Sequence, residues 1–324
     1  MVEFITWLKA LAAILITNSH LGHVYPVDAL ATGGLLGNLL FFAVSGFCLY
    51  NIKLPFHKWY IKRLFRIYPA VWIATIVCLA WGTYHVDSLM QGAQLFLYPT
   101  YYHFIASILI LYVPFYVVAR HSGKVQNPQK FLITIGALVA ITYMLVYTTV
   151  YDTSYYHIDT VEEPMILFVY FAAMLMGAGL RPQSEPQPFN WLVPIGLLIS
   201  LIAYACTKIC VGNGQIPPLH QYLNQISILA LVWMLLYTGR LINPVFETVP
   251  SVFRKSVSFI ASITLEIYLV QYLVLRSTTV QETAFPGNLL FSLVSIVSCA
   301  YILHHIVIIA VNYLFFSHKT SKIS

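Results

Sequence analysis

The chain has 324 residues, of which 59% are hydrophobic and only 9% are charged, and its formal net charge is +6. Soluble domains usually carry about 25% charged residues, so this composition excludes a soluble globule and predicts an integral membrane protein. Its length leaves room for roughly ten helical spans of about 20 residues with short connections.

Ten apolar runs follow one another along the chain, and each predicts a membrane helix. The runs cover residues 4–19, 34–50, 67–83, 104–119, 131–150, 165–180, 191–210, 223–239, 257–275 and 289–316. We therefore expect an all-α integral membrane protein. It is predicted to be a bundle of about ten transmembrane helices that forms a single domain over residues 1–324, with no fused soluble domain.

The first apolar run carries a lysine, Lys9, near its start, and a histidine, His20, directly follows its end, eleven residues after Lys9. On a helix this spacing makes three turns plus about 20°, so both side chains face one side, about 16 Å apart along the axis. An imidazole with an ordinary pKa of about 6.5 can accept or give a proton near neutral pH. His20 is therefore a candidate for proton transfer. Alternatively, His20 is an interfacial residue hydrogen-bonded to lipid headgroups, and Lys9 only extends its charged end to the cytoplasmic surface.

The second run contains Ser45 and Gly46 within "FFAVSGFCLY". Small residues let membrane helices approach each other closely, so this pair predicts a helix–helix contact. Ser45 is also a candidate nucleophile, but no base lies beside it in the sequence. Packing is therefore the favoured interpretation.

A basic segment, "FHKWYIKRLFRIYP", leads into the third run. Lys58, Lys62 and Arg66 are spaced by four residues and therefore share a helix face. Arg63 lies beside Arg66 on the same helix. Several cations on one face, interleaved with aromatic residues, suit a phosphorylated ligand. The alternative is the general enrichment of cations in cytoplasmic loops.

Lysine and arginine residues are distributed unevenly between alternate connections of the ten predicted helices. Of the 17 cations, all but Lys208 and Arg276 belong to the set that contains both termini. Because cytoplasmic loops are enriched in positive residues, this predicts both termini in the cytoplasm and the acidic segment 152–163 outside. The loops also account for the net charge, so no nucleic-acid partner is predicted.

Polar residues also lie within the later apolar runs. Glu266 is an acid inside the ninth run, where a carboxylate is costly and marks a candidate functional site. His304 and His305 are adjacent in the last run and cannot share one helix face, so at least one is expected to pack or to form a hydrogen bond. The five cysteines have no metal-ligand spacing, and no metal is predicted.

The order of these segments resembles acyltransferase family 3, a family of bacterial membrane acyltransferases. The resemblance is carried by the helix that ends in His20, by "FFAVSGF" and by "KWYIKRLFRIYPAVW". Two later segments agree with it, "YYHFIASILILYVPFYV" and "TLEIYLVQ", so the resemblance runs over most of the chain.

The resemblance implies transfer of an acyl group to a hydroxyl of a cell-surface glycan, a lipid-linked sugar or a small glycoside, in the bacterial inner membrane. The usual donor is cytoplasmic acetyl-CoA. His20 matches the family histidine, and Arg63 and Arg66 match its paired basic residues. Lys9 stands where arginine is usual, and Gln271 stands where a histidine is common. Some members carry a fused periplasmic domain; here either the membrane domain finishes the transfer or a separate periplasmic partner does.

The resemblance and the predicted topology together suggest a mechanism. Arg63 and Arg66 would hold the phosphates of CoA at the cytoplasmic side. Lys62 or Lys58 would assist them. His20, near the external side, would remove the proton of the acceptor hydroxyl.

In this mechanism Lys9 is expected to position the donor and, as a cation, to favour the neutral imidazole of His20.

The sequence alone also leaves a second function open. The alternative is a polytopic transporter or flippase that uses Lys9, His20 and Glu266 as a relay, although no internal repeat supports it. Acetyl transfer from acetyl-CoA by the purified protein would distinguish the two.

Overall fold

The structure is a computed structural model, and it describes residues 2–98, 103–150, 164–181, 190–217 and 220–320. The predicted external segment 152–163 lies outside the described residues. The helices are α1 (Glu3–Ser19), α2 (Gly34–Leu49), α3 (Phe56–Ala80), α4 (Leu89–Leu97), α5 (His103–Ser122), α6 (Pro128–Val150), α7 (Met165–Leu180), α8 (Leu192–Gly212), α9 (Tyr222–Leu241), α10 (Asn243–Thr248), α11 (Ser251–Ser262), α12 (Thr264–Leu275), α13 (Thr278–Glu282) and α14 (Gly287–Thr320).

Each of the ten apolar runs falls on a helix, and the described residues contain no strand. The prediction of an all-α membrane protein is therefore confirmed. Among the described residues, however, only seven helices are long and apolar enough to cross a membrane, or eight if the bent pair α11–α12 counts as one span. The predicted count of about ten spans is thus too high by this criterion.

Two of the remaining predicted spans, α1 and α7, are helical but shorter than this criterion requires. α1 has 17 residues and α7 has 16, so each is about 24–26 Å long, against about 30 Å of hydrocarbon. α7 packs against α2, α6 and α9, and most of its side chains are buried. A helix enclosed by protein in this way does not have to match the thickness of the lipid.

The ninth run, predicted as one helix, is broken at Ile263 into α11 and α12, which meet at an angle of 71°. No proline or glycine marks the break. At the break, the Thr264 hydroxyl donates to the carbonyls of Ile260 (3.2 Å) and Ala261 (3.1 Å), and the Ser262 hydroxyl donates to that of Phe259 (2.7 Å). These hydroxyls satisfy carbonyls at the end of α11, which is required because helix ends leave unpaired groups.

The chain divides into two compact units, each assembled from separate stretches. Unit 1 contains Met1–Ile16, Gly33–Lys53 and Ile110–Ser258, and unit 2 contains Thr17–Thr32, Leu54–Leu109 and Phe259–Ser324. The prediction of one domain over residues 1–324 stays a prediction.

Unit 1 is built around the contact between α2 and α7. A methyl group at Gly46 would overlap the backbone carbonyl of Met174, and one at Gly177 would overlap that of Ala43. The two backbones therefore touch at paired glycines, as small residues permit. The predicted close approach at Ser45–Gly46 is confirmed.

Unit 2 is built around α3, α12 and α14, which pack against one another. α4, which the apolar runs did not predict, lies along α3. Tyr68 donates its hydroxyl to the carbonyl of Leu97 (2.5 Å), and the Trp72 indole N–H donates to that of Phe96 (2.8 Å). Two of the unpaired carbonyls at the end of α4 are thereby satisfied.

Candidate functional site

His20 follows the last residue of α1 and lies in unit 2, half-buried against α12. Its Nδ1 is 3.2 Å from the hydroxyl oxygen of Tyr272, and the two ring centroids are 4.9 Å apart. Burial lowers the pKa of His20 from 6.5 to about 4, because a buried imidazole loses the hydration that stabilises its cation. The ring is therefore neutral near pH 7 and able to accept a proton.

The loop after His20 is closed by Asn18. Its amide nitrogen donates to the carbonyls of Leu30 (2.8 Å) and Thr32 (3.0 Å), and its amide oxygen accepts from the Tyr25 hydroxyl (2.7 Å). One side chain thus ties the end of α1 to the segment that leads into α2. This arrangement fixes the backbone from which the His20 ring projects.

The basic segment is helical, because α3 begins at Phe56 rather than at the apolar run. Lys58, Lys62 and Arg66 are exposed, whereas Arg63 is half-buried and its guanidinium lies 5.6 Å from the ring centre of the buried Trp59. The predicted cationic face therefore exists as part of a helix. Such a face can bind phosphate groups by charge-assisted hydrogen bonds.

Glu266 is 6% exposed, and its Oε1 accepts a hydrogen bond from Nδ1 of His304 at 2.8 Å. Its other oxygen, Oε2, is buried and has no hydrogen-bond partner among the described residues. His305 points elsewhere and contacts the ring of Tyr301 edge-on at 4.3 Å. The expectation that one of the two adjacent histidines forms a hydrogen bond is confirmed at His304.

The two remaining candidates, Lys9 and Ser45, lie in unit 1, and both are half-buried. The start of α1, which carries Lys9, is held by Asn243, whose side-chain oxygen accepts from the Phe4 amide at 3.0 Å. The sequence had suggested that the positive charge of Lys9 keeps His20 neutral. The cause found in the structure for the lowered pKa of His20 is burial.

Gln271, which stands where the resemblance leads us to expect a histidine, is fully buried on α12. Its amide nitrogen and oxygen have no hydrogen-bond partner in the part of the chain that the structure describes. An amide can donate and accept hydrogen bonds but cannot serve as a base near neutral pH. Gln271 therefore does not supply a base at the position where the resemblance leads us to expect a histidine.

The sequence alone indicated neither Tyr272 as a contact of His20 nor His304 as the partner of Glu266. Tyr272 lies in an apolar run with nothing to distinguish it, and it is 252 residues from His20. His304 carried a signal, since a histidine inside an apolar run needs a partner. In the described residues, no group of three or more His, Cys, Asp or Glu side chains is arranged to hold a metal ion.

Long apolar helices with polar side chains enclosed among them define a helical membrane protein. The family model for acyltransferase family 3, described as an acyltransferase domain, matches residues 2–305, nearly the whole chain. The chain belongs to this family of membrane acyltransferases, and the resemblance drawn from the sequence is confirmed. No curated protein and no solved structure matches the chain.

Proposed function

We propose that the protein is a membrane O-acetyltransferase. It moves an acetyl group from cytoplasmic acetyl-CoA to a hydroxyl of a cell-surface or lipid-linked glycan. The family match over residues 2–305 carries the acyl-transfer chemistry. The acetyl donor, the glycan acceptor and the location in a bacterial inner membrane are our proposals from the sequence resemblance.

The donor site is proposed on the cationic face of α3. Arg63 and Arg66 bind the phosphates of CoA, and the exposed Lys58 and Lys62 add positive charge. Guanidinium groups suit this role because they can form two parallel hydrogen bonds to one phosphate. The uneven distribution of cations supports a cytoplasmic position for this face, where CoA is available.

His20 is proposed as the general base. Its neutral imidazole takes the proton of the acceptor hydroxyl while the hydroxyl oxygen attacks the thioester carbonyl. The carbon–sulfur bond then breaks, and the imidazolium returns the proton to the departing CoA thiolate. The products are the acetyl ester and CoA, so no proton is gained or lost overall.

Lys9 is proposed to position the donor, and Ser45 to contribute packing beside the close approach of Gly46 to the Met174 backbone. Glu266 is held by His304 and is proposed to support unit 2 rather than to take part in proton transfer. Whether a separate periplasmic protein receives the acetyl group depends on the acceptor.

The direct test uses purified protein in lipid nanodiscs, acetyl-CoA with a labelled acetyl group, and a lipid-linked glycan extract as acceptor. We expect free CoA thiol to appear together with labelled glycan. Succinyl-CoA in place of acetyl-CoA tests the choice of donor. A protein that neither binds nor consumes acetyl-CoA, yet moves glycan lipids across the bilayer, would support the transporter instead.

A further inference from the structure

The ring of His20 meets α12 through one side chain, that of Tyr272. The hydroxyl oxygen of Tyr272 is 3.2 Å from Nδ1, and the ring planes are inclined at 55°. Among the residues that the structure describes, the hydrogen bond found for the His20 ring is the one at Nδ1. The protein therefore engages one ring nitrogen, and the proposed base is the other, Nε2.

The backbone around His20 is held by other residues. His23 Nε2–H donates to the Leu275 carbonyl (3.3 Å), and the Asn288 side-chain amide donates to the Val24 carbonyl (3.0 Å). Val24 is only 2% exposed. These contacts fix the backbone that follows His20, whereas the contacts described for its ring are those with Tyr272.

We infer that Tyr272 is a positioning residue that keeps a proton on Nδ1 of His20. A tyrosine hydroxyl can donate or accept, so the direction of this bond follows from the proposed role of His20 as the base, which requires an unprotonated Nε2. Neutral imidazole carries one proton, on either Nδ1 or Nε2. When the Tyr272 oxygen accepts from Nδ1–H, Nε2 keeps its lone pair and faces the acceptor as a base. If the hydroxyl instead donated to Nδ1, the proton would lie on Nε2, which could not then accept another.

The same hydrogen bond serves the next step of the reaction. Once Nε2 has taken the acceptor proton, both ring nitrogens are donors. Nδ1–H then keeps its bond to Tyr272, so the buried imidazolium retains an acceptor. Loss of a hydrogen bond to a charged group slows a step about tenfold or more. This inference rests on the proposed role of His20 as the base.

The first test measures the tautomer and does not depend on activity. Purified protein containing ¹⁵N-histidine is examined by NMR, and the His20 signals are identified by their loss in His20→Gln. We expect the wild type to show a protonated Nδ1 and an unprotonated Nε2, and Tyr272→Phe to shift the population toward Nε2–H. An unchanged tautomer in Tyr272→Phe would overturn the inference.

The second test measures turnover with a matched control. Tyr272→Phe keeps the ring and should lower kcat at least about tenfold with little change in KM for acetyl-CoA. Tyr268→Phe removes a hydroxyl one turn earlier on α12, where the ring contacts Phe104 at 5.3 Å, and should stay within about twofold of wild type. Equal losses in both variants would contradict a specific role for Tyr272.

The two tests separate this inference from the proposed function. Normal transfer by a folded His20→Gln protein would remove His20 as the base and, with it, the catalytic meaning of Tyr272. The NMR result would still report whether Tyr272 selects the tautomer. Slow transfer by His20→Gln together with normal kcat in Tyr272→Phe would refute the inference alone.

Discussion

An imidazole can serve as a base only while one of its nitrogens is unprotonated, and at His20 burial favours that state. A general base typically contributes 10²- to 10⁴-fold to a rate. We therefore expect His20→Ala to fold, to bind acetyl-CoA and to transfer acetyl at least about 100-fold more slowly. His305→Ala, which removes an exposed histidine beside Tyr301, is the matched control and should transfer normally. Near-normal transfer by His20→Ala would redirect the search to Glu266 and His304.

The pH dependence of transfer follows from the same residue. Because the pKa of His20 is lowered to about 4, its basic form is retained as the pH falls from 8 to 5 and is lost near pH 4. We expect kcat/KM to stay level down to about pH 5 and then to decline. Re-assay at pH 7 after each exposure controls for denaturation. A midpoint near the ordinary histidine value of about 6.5 would show that the base is another group.

The proposed contact between the cations of α3 and the phosphates of CoA predicts how substitutions there change acetyl-CoA affinity. Arg66→Ala should weaken acetyl-CoA binding at least about tenfold, the scale of a hydrogen bond to a charged group. Arg66→Lys should restore only part of the affinity if the contact is bidentate. Binding is measured by titration of the purified protein with acetyl-CoA. If the Arg63→Ala, Arg66→Ala double variant bound acetyl-CoA as tightly as wild type, these cations would be explained only by the general enrichment of positive residues in cytoplasmic loops.

At the scale of elements, the paired glycines of α2 and α7 determine how closely the helices pack. Gly177→Ala would place a methyl group on the Ala43 carbonyl, whereas Gly136→Ala on α6 would meet only ordinary contacts with Leu175 and Ala172. Overpacking costs about 1–3 kcal/mol, and Ala otherwise favours a helix. We expect Gly177→Ala to lower the thermal midpoint in detergent and Gly136→Ala to leave it unchanged or raise it. Equal midpoints would contradict the close contact.

Much of the helical framework could be predicted from hydropathy alone. The run 165–180 coincides with α7, and the run 34–50 ends one residue past α2. The break at Ile263 could not be predicted, since no proline or glycine marks it, and hydroxyls that bond back to carbonyls, as at this break, also occur within unbroken helices. The shared helix face of the cations in the basic segment could be predicted, because it depends only on their spacing along the chain.

The candidate site was predictable only in part, because its hydrogen-bonded pairs join residues that are far apart in the sequence. His20 and Glu266 stood out because polar side chains are rare in apolar runs. Their partners, Tyr272 and His304, lie 252 and 38 residues away along the chain. Such pairings are decided by how helices pack against one another, and periodicity within a single run carries no information about them.

At the scale of the whole molecule, the uneven distribution of cations predicts the orientation in the membrane. Single cysteines at Thr153 and Ser184, in a background without the five native cysteines, test it by labelling intact cells with an impermeant maleimide. Both positions lie outside the described residues. We expect Thr153 to be labelled from outside and Ser184 only after the cells are opened. Labelling of both from one side would refute the predicted topology.

The bend between α11 and α12 has a consequence for how the molecule holds a charge inside a membrane. By ending one helix and starting another, it places Glu266 in the first turn of α12. The aligned peptide dipoles of a helix leave about half a positive charge at this end, and they stabilise a nearby anion by about 0.3–1 kcal/mol, or more when it is partly buried. In an unbroken helix the same carboxylate would lie in mid-helix, without that field. The bend therefore supplies Glu266 with an electrostatic counterpart made of backbone alone.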